Sequence, residues 1–160
     1  MDGMDSMPDA PRTDEYPEQV TAVVTGVVPM AELRNFFDRA FQELSRYVAE
    51  GGIDPAGPAL ALYRGVPGET VDVEVGFPVR GQVAPSGPVV AGRIPASRVV
   101  TCVHRGDYDG LGASWTRLAE WAQEHELVLT DRMWEVYVTE PRPGADPADM
   151  VTRLFWALRE

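Results

Sequence analysis

Residues 23–27 are Val-Val-Thr-Gly-Val, and residues 99–103 are Val-Val-Thr-Cys-Val. The segments that follow these two stretches also run in parallel. Four pairs of large residues lie 74 positions apart (115−41, for example) and match in type: Phe41 and Trp115, Leu44 and Leu118, Tyr47 and Trp121, and Tyr63 and Tyr137. A fixed offset of this kind is typical of a duplicated unit. Two copies are too few for a solenoid, so the sequence predicts one pseudo-symmetric domain.

The two copies differ at one informative position. Ala61 aligns with Glu135 at the same offset, so a carboxylate stands in one half where the other half is apolar. This asymmetry makes Glu135 the first candidate for function.

The composition is that of a soluble globular domain. The chain has 160 residues, of which 44% are hydrophobic and 24% charged, which is ordinary for one compact domain. No apolar run approaches the roughly 20 residues that span a bilayer, so no membrane partner is expected. The single cysteine, Cys102, excludes an internal disulfide framework and favours a cytoplasmic location.

The charge excludes further classes of function. A net charge of −11 argues against direct nucleic-acid binding, which relies on Lys and Arg, and favours cationic ligands or basic partners. All 14 basic residues are arginine, so Schiff-base and P-loop lysines are excluded. His104 and His125 lack the spacing of metal ligands, and we expect neither a metal site nor a cofactor.

Residues 1–19 are predicted to be a disordered acidic tail, because they carry six acids and three prolines and almost no aliphatic residues. Residues 20–160 form the single domain. Its pseudo-repeats cover about residues 20–80 and 93–160, and the Gly- and Pro-rich residues 80–92 join them.

Each half is predicted to have the order β-α-β-β. The expected segments are strands 20–28, 59–63, 71–79, 98–104, 132–139 and 150–158, with one helix between Pro29 and Gly51-Gly52 and another around residues 111–122. This order predicts an α+β fold: duplicated β-α-β-β units forming a curved antiparallel sheet. Both helices lie on one face, the other face stays free, and a ligand groove lies between the halves.

Strand 132–139 contains the candidate site. Alternation places Met133, Glu135 and Tyr137 on one side of it. A carboxylate among aromatic rings is suited to bind an organic cation. Two alternatives remain open: Glu135 is exposed to solvent, or it forms an ion pair with an arginine such as Arg153.

By the repeat, Ala61 and Tyr63 share the groove side with Glu135, whereas Leu60 and Leu62 are predicted to face the helix. Tyr108 follows a His-Arg-Gly-Asp turn and is expected to overhang the groove. The remaining aromatic residues of the helices are assigned to the core: Phe36, Phe37, Phe41, Trp115 and Trp121.

The motifs assembled here resemble those of the gyrase-inhibitor-like small-molecule-binding family, which includes the effector-binding domains of multidrug-responsive transcription activators. They are a His/Arg-Gly-x-Tyr turn at 104–108, a Leu-x-x-Trp stretch at 118–121, and a Glu-x-Tyr strand at 135–137 followed by Pro141. The resemblance covers about residues 20–160 and implies a duplicated fold with an aromatic groove. It also implies that Glu135 is the central polar residue of that groove.

The resemblance implies three kinds of activity. One is a stand-alone sensor or sequestering protein for lipophilic, often cationic molecules, because the chain lacks a helix-turn-helix module. Its ligand contacts would be Glu135, Tyr137, Tyr63, Tyr108, Ala61, Met133 and Phe155. The second is a hydrolase that opens strained rings of DNA-alkylating natural products, with Glu135 and Tyr137 as catalytic residues. The third is a gyrase-inhibitor-type interaction module with a protein partner. The sequence does not fix the oligomeric state.

Overall fold

The computed structural model describes residues 10–139 and 146–159. They form two helices, α1 Leu33–Ala49 and α2 Leu111–Glu124. They also form eight strands: β1 Arg12–Tyr16, β2 Gln19–Pro29, β3 Leu60–Arg64, β4 Thr70–Pro78, β5 Val90–Ile94, β6 Ser97–Arg105, β7 Leu129–Tyr137 and β8 Val151–Leu158. Short 3-10 turns precede α1, α2 and β8.

All eight strands belong to one antiparallel sheet in the order β1-β6-β8-β7-β3-β4-β2-β5. The first half contributes β3-β4-β2 and the second contributes β7-β8-β6, so each half has the predicted β-α-β-β order. The halves join where β3 pairs with β7. The predicted α+β fold with a curved sheet is confirmed.

Two short links force the sheet to curl. Only residues 17–18 join β1 to β2, and only residues 95–96 join β5 to β6, yet each link connects strands six places apart in the sheet. Six spacings of about 4.8 Å would separate such strands by roughly 29 Å in a flat sheet. Three Cα steps reach at most about 11 Å. The sheet therefore bends until its two ends approach each other.

Both faces of the sheet are buried. The face towards the helices packs the apolar sides of α1 and α2 against the strands, with Phe36, Leu44 and Leu118 among the buried residues. The opposite face, inside the curl, encloses a second cluster: Leu60, Leu62, Ile94, Val99, Trp134, Phe155 and Ala157. The predictions that this face is free and that Leu60 and Leu62 face the helix are therefore wrong. Alternation separates two sets of side chains, but it does not say which set faces the helix when both sets are apolar.

The predicted disordered tail is wrong for residues 12–16, which form β1 along the edge of β6. Tyr16 secures this strand because its ring packs edge-on against Trp134 and Phe155, with centroids 5.0 and 4.9 Å away. Charged side chains are common on edge strands. The acidic composition of this segment therefore predicts disorder, although it is equally compatible with an edge strand. Residues 1–9 lie outside the described residues. The segment predicted as a linker likewise ends in an edge strand, β5, which pairs with β2.

Candidate functional site

A cavity of about 2070 Å³ lies on the helix-covered face, between α1 and α2. The typical small-molecule site encloses roughly 300–1,000 Å³, so this space accommodates a large ligand. Tyr63 of β3 and Met133, Glu135 and Tyr137 of β7 line it from the sheet. Strand alternation thus brings together four of the residues predicted from the sequence.

Glu135 is the central polar group of this cavity. Its side chain is buried, with the residue only 4% exposed. The Trp115 indole Nε1–H donates a hydrogen bond to Oε1 at 3.1 Å, and the Tyr137 hydroxyl donates one to Oε2 at 2.6 Å. Both carboxylate oxygens therefore have partners, but both partners are neutral. Among the described residues, no cationic side chain forms an ion pair with Glu135.

Burial raises the pKa of Glu135 above its ordinary value, while the hydrogen bonds from Tyr137 and Trp115 and the electrostatic effect of the nearby His104 partly oppose this shift. The pKa values of Tyr63 and Tyr137 are raised well above the ordinary value for tyrosine, chiefly by burial and further by the negative charge of Glu135. These phenols stay protonated, so they are available as hydrogen-bond donors towards an anionic oxygen.

The turn between β6 and α2 places Tyr108 over the cavity. Gly106 has a φ of +115°, a backbone conformation that residues with a side chain adopt only with strain. His104 is buried beneath the turn, where Nε2–H donates to the Asp107 carbonyl at 2.7 Å and Nδ1 forms a hydrogen bond of 2.7 Å with the Ser114 hydroxyl. Tyr108 is 40% exposed and lines the cavity, as predicted from the sequence.

Tyr108 also contacts Tyr137 edge-to-face, with ring centroids 5.7 Å apart. The exposed ring is thereby linked through Tyr137 to the carboxylate of Glu135.

Two residues predicted as ligand contacts lie elsewhere. Ala61 is on the cavity side but is 0% exposed and does not line the cavity. Phe155 lies on the opposite face, stacked against Trp134 with centroids 5.7 Å apart, so its prediction as a ligand contact is wrong. It directly opposes Trp134 across the pair of β7 and β8, and paired residues share a face.

The two alternatives for Glu135 are also wrong. The residue is buried rather than exposed. The guanidinium of Arg153 lies 4.9 Å from the Phe155 ring centroid, on the other side of the sheet.

Five aromatic residues that line the cavity are not among the ligand contacts predicted from the sequence, and Phe77 of β4 is one of them. Phe37, Phe41 and Trp115 were assigned to the helix core, but they are only partly buried and line the cavity together with Trp156. The repeat offered a signal, since Phe41 and Trp115 are 74 positions apart and both lie on this surface. Phe36 is buried as predicted, and Trp121 stacks on His125 away from the cavity.

The described residues that line the cavity carry more acidic than basic side chains. One of them is an arginine, Arg34, and five are acids: Asp38, Glu120, Glu135, Asp146 and Asp149. The described part of the cavity lining therefore carries more formal negative than positive charge. In the described part of the chain, no group of three or more His, Cys, Asp or Glu side chains is arranged to hold a metal ion. Within the same residues, neither helix has the length and apolar character needed to cross a membrane.

A duplicated α+β fold with an aromatic cavity between its two helices defines a class of small-molecule-binding domains. The GyrI-like small molecule binding domain matches residues 10–159, and the chain belongs to this family. No curated protein sequence matches the chain significantly.

Solved structures share the fold at low sequence identity. The C-terminal domain of EcmrR superposes with a TM-score of 0.81 at 21% identity, over 94% of this chain and 98% of that domain. The chain spans 57% of the EcmrR chain seen in a DNA complex. SAV2435 bound to tetraphenylphosphonium matches with a TM-score of 0.69 at 8% identity, over 94% of each chain. A hydrolase encoded by lin2189 from Listeria innocua matches with a TM-score of 0.70 at 12% identity, over 96% of this chain and 94% of that one.

Proposed function

We propose that this protein binds lipophilic cations in the cavity between α1 and α2, with Glu135 as the counter-charge. One observation carries the proposal: a buried carboxylate has two neutral hydrogen-bond donors and, among the described residues, no cationic partner. A buried charge is costly unless an opposite charge accompanies it. A cationic ligand supplies that charge, and its apolar groups pack against the rings.

The residues around the proposed cation site have different roles. Trp115 and Tyr137 orient the carboxylate, one at each oxygen. Tyr63 and Tyr108 add aromatic rings to the lining, and the face of such a ring attracts cations through its quadrupole. Met133 supplies an adaptable apolar surface beside the charge. This combination selects charge and hydrophobicity rather than one exact shape.

A relative with the same fold binds tetraphenylphosphonium, which provides a suitable probe. Titration of the wild type, followed by tryptophan fluorescence, is expected to show saturable quenching, since Trp115 and Trp156 line the cavity. Glu135→Gln keeps the side-chain shape and removes the charge, and it is expected to weaken binding by about tenfold or more. Equal affinity for the two proteins rules out Glu135 as the counter-charge.

The raised pKa of Glu135 favours a second candidate function, a hydrolase. A carboxyl group whose pKa is raised by burial keeps its proton to a higher pH and can donate it to the leaving group as water opens a strained ring, and Tyr137 lies in hydrogen-bond contact with it. Incubation with an electrophilic cyclopropane, followed by chromatography of the recovered compound, separates the two functions. A ring-opened product formed by the wild type but not by Glu135→Gln indicates the enzyme, and intact compound indicates the binding protein.

A further inference from the structure

The cavity has two sides that are equivalent by the internal duplication. Phe41 of α1 and Trp115 of α2 are 74 positions apart in sequence, as are Ala61 and Glu135. Ala61 pairs with Val75 of β4, whereas Glu135 pairs with Leu154 of β8. The registers therefore make Val75 equivalent to Leu154.

Two residues further along the same strands, Phe77 is equivalent to Trp156. Both residues line the cavity. Because Phe77 is on β4 and Trp156 is on β8, they lie on opposite sides of the central pair of β3 and β7.

The same ring arrangement occurs on both sides. Trp115 packs edge-to-face on Trp156, with centroids 5.7 Å apart and an interplanar angle of 81°. Phe41 packs edge-to-face on Phe77, with centroids 6.3 Å apart and an angle of 73°. The pair beside α1 therefore repeats the pair beside α2 in position and in geometry.

The two sides differ in polarity. Trp115 donates its indole N–H to Glu135. At the equivalent places beside α1, Phe41 has no donor and Ala61 has no acceptor. The compartment formed by Phe41 and Phe77 is therefore a neutral version of the compartment that holds the carboxylate.

We infer that the Phe41–Phe77 compartment is a second binding site, for a neutral aromatic group belonging to the same ligand whose cationic end lies at Glu135. This inference rests on the proposed function and specifies its ligand class: an elongated molecule with a cationic end and a neutral aryl end. Phe77 lies two strands from Glu135 and is offset from it by two residues along the strands, a separation of about 12 Å in a flat sheet, which sets the approximate span of the ligand.

The test compares two probes that differ only at the far end, hexyltriphenylphosphonium and phenylhexyltriphenylphosphonium. Burying the terminal phenyl ring is expected to tighten binding to the wild type by about tenfold or more. Phe41→Leu and Phe77→Leu keep apolar side chains and remove the aromatic pair, so each is expected to abolish most of that gain. The ratio of the two affinities is the measured quantity, because the hexyl chain also contacts the cavity, and this ratio is expected to fall towards one in both variants.

Glu135→Gln serves as the matched control, because it is expected to weaken both probes equally and to leave the gain from the phenyl ring intact. If the two probes bind the wild type equally while Glu135→Gln still weakens both, the second compartment is refuted and the cation site stands. If the gain survives in Phe41→Leu and Phe77→Leu, the phenyl ring lies elsewhere and the inference is overturned. If Glu135→Gln weakens neither probe, the proposed function fails, whatever the phenyl ring does.

Discussion

Ala61 and Glu135 face each other directly across the pair of β3 and β7, and they are also equivalent positions of the duplicated unit. When two equivalent strands pair in antiparallel fashion, the residues of one pair only are both directly opposite each other and equivalent in the repeat. That pair lies on the pseudo-two-fold axis that relates the two halves. A carboxylate in both copies would bring two buried negative charges together. The alanine therefore makes it feasible for one copy to carry a carboxylate at the centre of the domain.

Placing a second acid at the axis is expected to destabilise the fold in a pH-dependent way. Ala61→Gln adds volume at a fully buried site, and overpacking costs about 1–3 kcal/mol. Ala61→Glu adds a similar volume together with a charge that repels Glu135. We therefore expect Ala61→Glu to be less stable than Ala61→Gln at neutral pH, and we expect this difference to disappear in acid, where the carboxyl groups are protonated. Urea unfolding of both variants at about pH 4 and pH 7 measures this difference. The same pH dependence in both variants contradicts the placement of the two side chains.

The ionisation of Glu135 is expected to reduce stability as the pH rises. Its pKa in the folded state lies above the ordinary value of 4.5 because the side chain is buried. Below pH 4.5 both the folded and the unfolded chain are protonated at this residue, and there is no cost. As the pH rises through 4.5 towards the folded pKa, the unfolded chain ionises first. The wild type then loses about 1.4 kcal/mol of stability for each unit by which the folded pKa exceeds the unfolded one.

Glu135→Gln does not titrate, so the wild type minus variant difference in unfolding free energy is expected to fall across this pH range. Urea titrations at several pH values provide the measurement. A difference that rises with pH would mean that the folded pKa is lowered, and it would remove the case for an uncompensated carboxylate.

The indole of Trp115 is expected to tune the ionisation of Glu135. Trp115→Phe removes the donor to Oε1 and keeps an aromatic ring. Losing a hydrogen bond to a charged group costs about 1.5–3 kcal/mol. The pH at which cation affinity reaches half its maximum is therefore expected to rise by about one unit or more.

Trp156→Phe is the matched control for this substitution. Its indole also lies in the cavity, but it donates to the Thr130 carbonyl and not to Glu135. Calorimetric titration over a pH series compares the two variants without depending on tryptophan fluorescence. If both shift the pH midpoint equally, the effect comes from ring packing rather than from the Trp115 hydrogen bond.

A substitution on the face of the sheet that lies away from the cavity is expected to lower stability without changing cation affinity. Phe155→Ala removes a ring that packs between Tyr16 and Trp134 inside the curl, and such truncations cost about 3–5 kcal/mol. Cation affinity, measured under conditions in which the variant is folded, is expected to match the wild type. A selective loss of cation affinity with unchanged stability would place Phe155 at the ligand after all.

The N-terminal segment offers a related test of the fold. Deletion of residues 1–9 leaves β1 and the contacts of Tyr16 in place, whereas deletion of residues 1–16 removes them and uncovers Trp134. The longer deletion alone is expected to lower the unfolding temperature. An equal effect of both deletions contradicts the structural role of β1.

The order of helices and strands could be predicted from the sequence, because the two halves resemble each other closely and the apolar residues keep a regular spacing over long segments. The helix-forming segment ending at Gly51 and the alternating strand around Glu135 both appear in the structure as expected. The edge strands were not predictable in the same way. β1 is stabilised by backbone pairing and by the contacts of the Tyr16 ring with Trp134 and Phe155, and neither leaves a local pattern in the sequence.

The candidate site was predictable to the extent that it follows strand alternation. Glu135 and Tyr137 are predicted to lie together because residues two apart share a face, and the repeat adds Tyr63 to them. Trp115 and Phe41 were missed because a helical stripe shows that residues are apolar, but not whether they fill the core or line an adjoining cavity. Phe155 was misplaced because the side of the sheet that carries the cavity depends on tertiary packing.

The most direct test of the central claim is calorimetric titration of the wild type and Glu135→Gln with tetraphenylphosphonium and tetraphenylborate, which share a shape and differ in the sign of their charge. If Glu135 is the counter-charge, the wild type prefers the phosphonium, and the ratio of the two affinities falls by about tenfold or more in Glu135→Gln. A ratio that is the same in both proteins would contradict the account.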